Sequence, residues 1–138
     1  LLPVAPLGTK ASGLMVFTQN PGVARKMTED ATQLEHEWLA EVAADPGLED
    51  EARRGAVLKS LGRAAFFDGW AVPSARASWQ SEYRLRLAIK GNMPGQVAHL
   101  CERAGLQLTA LRRLRLGRIA LAGLAVGQWR YLMPYERF

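Results

Sequence analysis

The chain has 138 residues, 49% of them hydrophobic and 22% charged, with a formal net charge of +5. That length suits one domain with a genuine core, positions 1–138. The composition is that of a soluble globular protein, and no stretch approaches the roughly 20 apolar residues of a membrane span. Cys101 is the sole cysteine, which excludes an internal disulfide and fits a reducing, cytoplasmic setting. No basic region precedes the apolar Leu1–Leu7 segment, so no signal peptide is read there. The abrupt apolar start without Met leads us to expect a piece of a longer product.

In chain order, Gly13–Gln19 has the length and apolarity of a strand. Asn20-Pro21 then signals a helix start, with Asn as N-cap and Pro at the first helical position. Val23, Ala24 and Met27 give that helix an apolar side, leaving Arg25 and Lys26 for water or phosphate. Leu34–Val42 alternates: Leu34, His36, Trp38, Ala40 and Val42 share one face, and Glu35, Glu37 and Glu41 share the other. This predicts a half-buried strand. Asp45-Pro46-Gly47 breaks it. Leu48–Leu61 reads as a helix with acids at its positive end and Gly62 as its C-terminal cap.

Phe67-Asp68-Gly69-Trp70 carries a hairpin signal. Tyr83–Ile89 alternates cleanly as a strand, with Arg84 and Arg86 on its outer face. Asn92–Gly95 is a turn. Val97, Leu100, Cys101 and Ala104 follow helical spacing, and Gly105 ends the helix. Leu106–Gly117 returns to strand, and Gln128–Met133 reads as a last strand. The element order predicts an α+β fold around a largely antiparallel mixed sheet with flanking helices.

Charge is distributed unevenly along this frame. Nine of the thirteen acids lie between Glu29 and Glu51, whereas seven arginines and one acid follow from Arg103 onward. The planar arginine fork suits phosphate, and a basic half is the footprint of a nucleic-acid binder. Strand parity places Arg113 and Arg115 on one face and Arg112 on the other.

The C-terminal residues carry a more specific signal. Gln96-Val97-Ala98-His99-Leu100-Cys101-Glu102, then Leu111, Arg113, Arg115, Leu116 and Gly117, then Leu121, Leu124, Gly127, Trp129 and Arg130 match a helix, a basic strand and a Gly-x-Trp-Arg segment in order and spacing. This block resembles the catalytic domain of the bacterial RsuA-type ribosomal RNA pseudouridine synthases, especially the RluF-like members. Pro3–Leu14 has the frame of that family's catalytic motif, so the resemblance covers most of the chain.

The resemblance implies the pseudouridine synthase catalytic-domain fold, structured RNA (ribosomal in the family) as partner, and no cofactor or metal. It also implies RNA contacts by Arg113 and Arg115, with Arg112, Arg118 and Lys10 as further candidates. The family's essential aspartate falls on Gly8, its neighbouring Arg on Pro6 and its motif Gly on Ala5. Its active-site Tyr falls on Trp38, and the helix's basic residues fall on Gly95, Ala98 and His99. No Asp or Glu precedes Glu29, so a shift of a few residues does not restore the acid, and no catalytic residue is assigned.

Asp30 reads as a solvated loop acid and Asp68 as a turn residue. His36 reads as a packed core histidine and Cys101 as core. Neither they nor His99 form a metal motif. Trp38, Trp70, Trp79 and Trp129 suit packing first and base stacking second. The expectation is therefore an RNA-binding member of the family with impaired isomerisation. The alternatives are an active synthase using another acid, and a non-enzymatic structural or protein-interaction domain.

Overall fold

A computed structural model describes residues 1–8, 10–31, 33–67, 69–91 and 95–136, with the side chains of Phe67 and Trp70 set aside. Asp68 and the 92–94 part of the expected turn lie outside the described residues.

The sheet is organised around two long strands. The first, β4 (Glu35–Val42), alternates as its sequence does, burying His36, Trp38, Ala40 and Val42. The strands preceding it are β1 (Leu2–Val4), β2 (Ala11–Gly13) and β3 (Val16–Thr18). After it come β5 (Ala65–Phe67), β6 (Trp70–Val72), β7 (Arg76–Ser81), β8 (Arg84–Lys90), β9 (Leu108–Leu116) and β10 (Ile119–Ala120). A six-stranded sheet runs β10-β9-β4-β8-β7, and β2 joins it by pairing with β9. Its pairings are antiparallel except β2 with β9.

Three helices accompany the sheet among the described residues: α1 (Pro21–Ala31), α2 (Glu51–Leu61) and α3 (Gln96–Arg103). Asn20 caps α1 as expected, its Oδ1 accepting from the Gly22 and Val23 amides at 2.9 and 3.2 Å. The buried side of α1 is Ala24 and Ala31 with Met27 beside them, whereas Val23 is exposed. The expected helix from Leu48 comes in two pieces. Asp45 caps a 3₁₀ turn at Pro46–Glu49, then Asp50 caps α2 by accepting from the Ala52 amide. Gly62 does end α2, but at φ −76°, without left-handed backbone. Gly105 ends α3 at φ +81°. Its amide donates to Glu102 O and the Leu106 amide to Cys101 O, the paired bonds of a Schellman cap.

Two apolar clusters result. The larger joins Trp38, Ala40 and Val42 of β4 and Leu85, Leu87 and Ile89 of β8 to Val57, Leu61, Val97 and Leu100 of the helices. The smaller joins Val4, Leu14, Val16 and Ala31 to Leu116 and Ile119 at the far end of β9. The 13–19 stretch does not form one strand. Gly13, at φ +104°, ends β2 beside β9, and Val16–Thr18 then pairs antiparallel with β1.

The expected strand at 128–133 does not form. Trp129, Tyr131 and Met133 have the right alternation, but β2 and β10 already occupy the edge of β9 opposite β4. Residues 121–136 instead run through turns closed by Leu124 N to Leu121 O, Gln128 N to Ala125 O and Glu136 N to Met133 O. Arg130 holds the last turn through two bonds to Glu136, at 2.6 and 2.7 Å.

Two glycines give opposite tests of this geometry. A Cβ on Gly13 would overlap the Arg113 backbone, on a φ that L side chains rarely adopt. Gly55 sits inside α2 with open space where a Cβ would go. Gly13→Ala should lower unfolding free energy by about 2–4 kcal/mol. Gly55→Ala should raise it by about 0.5–1 kcal/mol. Urea unfolding of both variants against the parent chain measures each.

Candidate functional site

A cavity of about 410 Å³ opens between the N-terminal segment and the sheet. Pro6, Gly8, Lys10 and Ala11 form one wall, Trp38 comes from β4, and Gly95–Ala98 bring the start of α3. Leu108–Leu111 of β9 complete the lining. Gly8, Trp38, Gly95 and Ala98, which lie far apart in the sequence, thus meet in one place. Among the described lining residues the only ionisable group is Lys10. Among the described residues the pocket has an apolar wall, one cation and no carboxylate.

Gln96 fixes the α3 side of the cavity. It is buried, and its Nε2 donates to the carbonyls of Lys90 and Gly91 at 3.4 and 3.3 Å. Gly8 has open space at the Cβ position. It is also absent from the positive-φ glycines, so its backbone accepts any L residue. Trp38 is 6% exposed. Its ring lies parallel to that of His36, with centroids 6.3 Å apart. His36 Nε2 is 3.0 Å from Ala31 O, and burial lowers the imidazole pKa. His36 is therefore a core residue, as is Cys101, whose thiol burial pushes up to about 11. Among the described residues no three His, Cys, Asp or Glu side chains come together where a metal ion would sit. Asp30 lies in the last turn of α1, exposed, rather than in a loop.

The arginines of β9 do not follow simple parity. Glu37 of β4 pairs with Arg115, while the next residue, Trp38, pairs with Arg113. Leu114 is the extra residue of a β-bulge, and the bulge turns Arg113 and Arg115 to opposite faces. Arg113 faces the core with Trp38 and is 0% exposed. Its Nε and Nη2 donate to Leu14 O at 3.0 and 2.8 Å, and its Nη1 donates to Ala5 O at 2.8 Å. The guanidinium carbon stands 5.8 Å from the Trp38 ring centre, and burial pushes its pKa down to about 10. The shared face expected for Arg113 and Arg115 is therefore corrected: the Arg113 side chain lies in the core.

Arg115 faces outward, but its donors are also engaged. It bonds Glu37 at 2.8 Å, Glu35 at 2.6 Å and Gly117 O at 2.7 Å. Arg76 also binds Glu35, at 2.8 Å, and Arg86 binds Glu37. Arg115 is thus the centre of a cross-strand ion-pair ladder, not a free cation. Lys10, Arg112 and Arg118 are exposed.

The tryptophans divide as well. Trp79 packs under the Arg54 guanidinium at 4.1 Å and donates to Arg54 O. Trp129 is 75% exposed, edge-on to Tyr131. Sequence reading named Gln96 and Leu111 in the resemblance but gave neither a place in a site, and it missed the rest of the Leu108–Leu111 wall. It also missed the Glu35–Arg115–Glu37 ladder, whose signal was the outward Glu alternation of β4 opposite a basic strand.

No described family model matches the chain. Curated relatives do. The chain is 24% identical over 136 residues to the dual-specificity RNA pseudouridine synthase RluF of Salmonella typhi, covering 99% of this chain and 45% of that protein. To the protein of the same name in Shigella flexneri it is also 24% identical, covering 99% and 44%, and to that of Escherichia coli K12 it is 22% identical over the same shares. The chain therefore spans somewhat under half the length of these relatives. Among solved structures it resembles a pseudouridylate synthase with a TM-score of 0.65 and 19% identity, over 85% of this chain and 49% of that one. The fold is accordingly that of a pseudouridine synthase catalytic domain. The likeness to RluF extends over nearly the whole of this chain, at 24% identity.

The ion-pair ladder has a pH signature. Arg115 and Arg76 hold the Glu35 carboxyl below its ordinary value. Burial alone would raise Glu37, but Arg115 and Arg86 outweigh it and hold it low as well. A carboxyl with a lowered folded pKa stabilises the fold above its unfolded pKa, and the contribution fades as pH falls through the folded value. Glu35→Gln should therefore cost roughly 0.5–1 kcal/mol at pH 6 and lose less stability than the parent between pH 5 and pH 3. Urea unfolding across that range checks both.

Proposed function

We propose that this chain binds structured RNA, ribosomal RNA in the cytoplasm, in the manner of a pseudouridine synthase domain but without isomerising uridine. The observation that carries this reading is the cavity that joins Gly8, Trp38, Gly95 and Ala98 with no acid among its described lining residues. The resemblance puts the family's reacting carboxylate at Gly8. Glycine has no side chain to act as a nucleophile or base. Removing a reacting group of this kind costs on the order of 10⁴-fold or more in rate. The relatives are named as RNA pseudouridine synthases, which supports RNA as the ligand.

Affinity in this reading comes from cations that are exposed. Lys10 stands at the pocket, and Arg112 and Arg118 lie along and just beyond β9. Arg113 and Arg115 bond carbonyls and carboxylates of the protein itself, and this reading assigns them no phosphate contact. A ribosomal RNA hairpin should bind with an affinity that falls steeply with salt, as counterion release requires. Changing Lys10, Arg112 or Arg118 to Gln should each weaken binding and reduce the salt slope by about 1. Fluorescence anisotropy between 50 and 200 mM salt measures this. Affinity insensitive to salt and to all three changes would favour the structural-domain reading instead.

Because Gly8 has room for a Cβ and ordinary backbone, Gly8→Asp should fold with unchanged thermal stability. It should also form pseudouridine above the background of the parent chain, read by mass spectrometry of digested RNA after chemical labelling. Turnover by the parent equal to that of Gly8→Asp would favour an acid outside this position.

A further inference from the structure

We propose that Arg113 is the positioning residue of the pocket, gripping the chain on both sides of the segment that carries Gly8 and Lys10 and so setting that wall against Trp38. The geometry is specific to this residue. Its side chain takes Ala5 O on one side of the segment and Leu14 O, twice, on the other. Its own carbonyl accepts from the Leu14 amide at 3.0 Å, and its backbone lies opposite Gly13 in the parallel β2–β9 register. Everything between Ala5 and Leu14 therefore begins and ends on Arg113.

The stretch so spanned supplies Pro6, Gly8, Lys10 and Ala11 to the cavity. Within it the Ala11 amide donates to Gly8 O at 3.1 Å. Ala5 sits at φ +46°, a strained conformation for a residue with a Cβ. It is held there by Arg113 on its carbonyl and by Thr28 Oγ1 on its amide, at 3.2 Å. The opposite wall is the Trp38 ring, and the same guanidinium faces it. One side chain thus bonds both ends of the segment and stands 5.8 Å from the Trp38 ring centre.

A guanidinium is required, rather than any buried residue. Its planar fork presents donors in fixed directions, which lets it hold two carbonyls that approach from different sides. A lysine keeps the charge and loses the fork. An apolar residue would fill the same core volume, often at no cost to stability. Retaining a buried cation bonded to neutral carbonyls makes sense where the geometry of those carbonyls matters.

The proposal rests on the RNA reading only in what the pocket holds, so its test separates the two. Hydrogen exchange on the full chain and on Arg113→Lys reads the segment directly. We expect the Ala11 and Leu14 amides to lose at least tenfold protection in Arg113→Lys, while the β4 and β8 amides keep theirs. An equal loss at all amides, or none at Ala11 and Leu14, overturns the proposal.

If Arg113→Lys does not fold, the parent chain decides the matter. The Arg113 Nε–H should exchange together with the Leu14 amide, in one opening event faster than that of β4 and β8. Separate exchange of the two protons overturns the proposal. With RNA, Arg113→Met should bind at least tenfold more weakly at an unchanged salt slope, since no phosphate contact is removed. A reduced slope would make Arg113 a contact and overturn its positioning role. If the parent chain binds no RNA, the reading of the pocket fails while the exchange result still stands or falls alone.

Discussion

The bulge at Leu114 in β9 determines where the charge of this domain goes. β4, β2 and β10 all pair with β9, so a one-residue slip there is felt on every side. Without it, Arg113 and Arg115 would share a face, and either both would be buried or both would meet solvent. With it, one guanidinium enters the core and ties the N-terminal segment to the sheet. The other joins Glu35 and Glu37 on the outer face. A buried arginine without a carboxylate is tolerable only when its donors are otherwise used, and the carbonyls of Ala5 and Leu14 meet that need. The smaller apolar cluster, which pins the same segment through Val4 and Leu14 to Leu116 and Ile119, then has a fixed partner to pack against.

The cavity is a consequence of that arrangement. It lies where the clamped segment, the start of α3 and the Trp38 ring converge, and none of these elements forms it alone. Its chemistry follows from what those elements bring: small residues at Gly8, Gly95 and Ala98, aliphatic walls from β9, and Lys10. A cavity of this kind can enclose a planar, uncharged group and hold an adjoining phosphate. Among the described residues its lining carries no carboxylate.

Much of this was legible in the amino-acid order. The period-2 alternation of β4 and β8 set out which of their residues are buried, because each strand has one face on the core and one in water. Asn20-Pro21 and Gly105 marked helix ends through side-chain capping and left-handed backbone, both of which are local. Gly8, Trp38, Gly95 and Ala98 were singled out by the family resemblance, and the fold brings them together.

What was not legible is nonlocal. Nothing in Arg112-Arg113-Leu114-Arg115 signals a bulge, since the extra residue is defined only against the Glu37–Trp38 step of another strand. The 128–133 segment has the alternation of a strand, but whether a sheet edge is free depends on β2 and β10. The split of 13–19 turns on the close approach of Gly13 to Arg113, a contact between residues one hundred positions apart.

The central claim is that the domain retains the fold and the pocket without the reaction. A single-turnover assay with the protein in excess over ribosomal RNA carrying tritium at uridine C5 tests it most directly, because converting uridine to pseudouridine releases that hydrogen. The account predicts saturable RNA binding with tritium release no greater than that of RNA alone. Stoichiometric release from one uridine by the unaltered chain would contradict it.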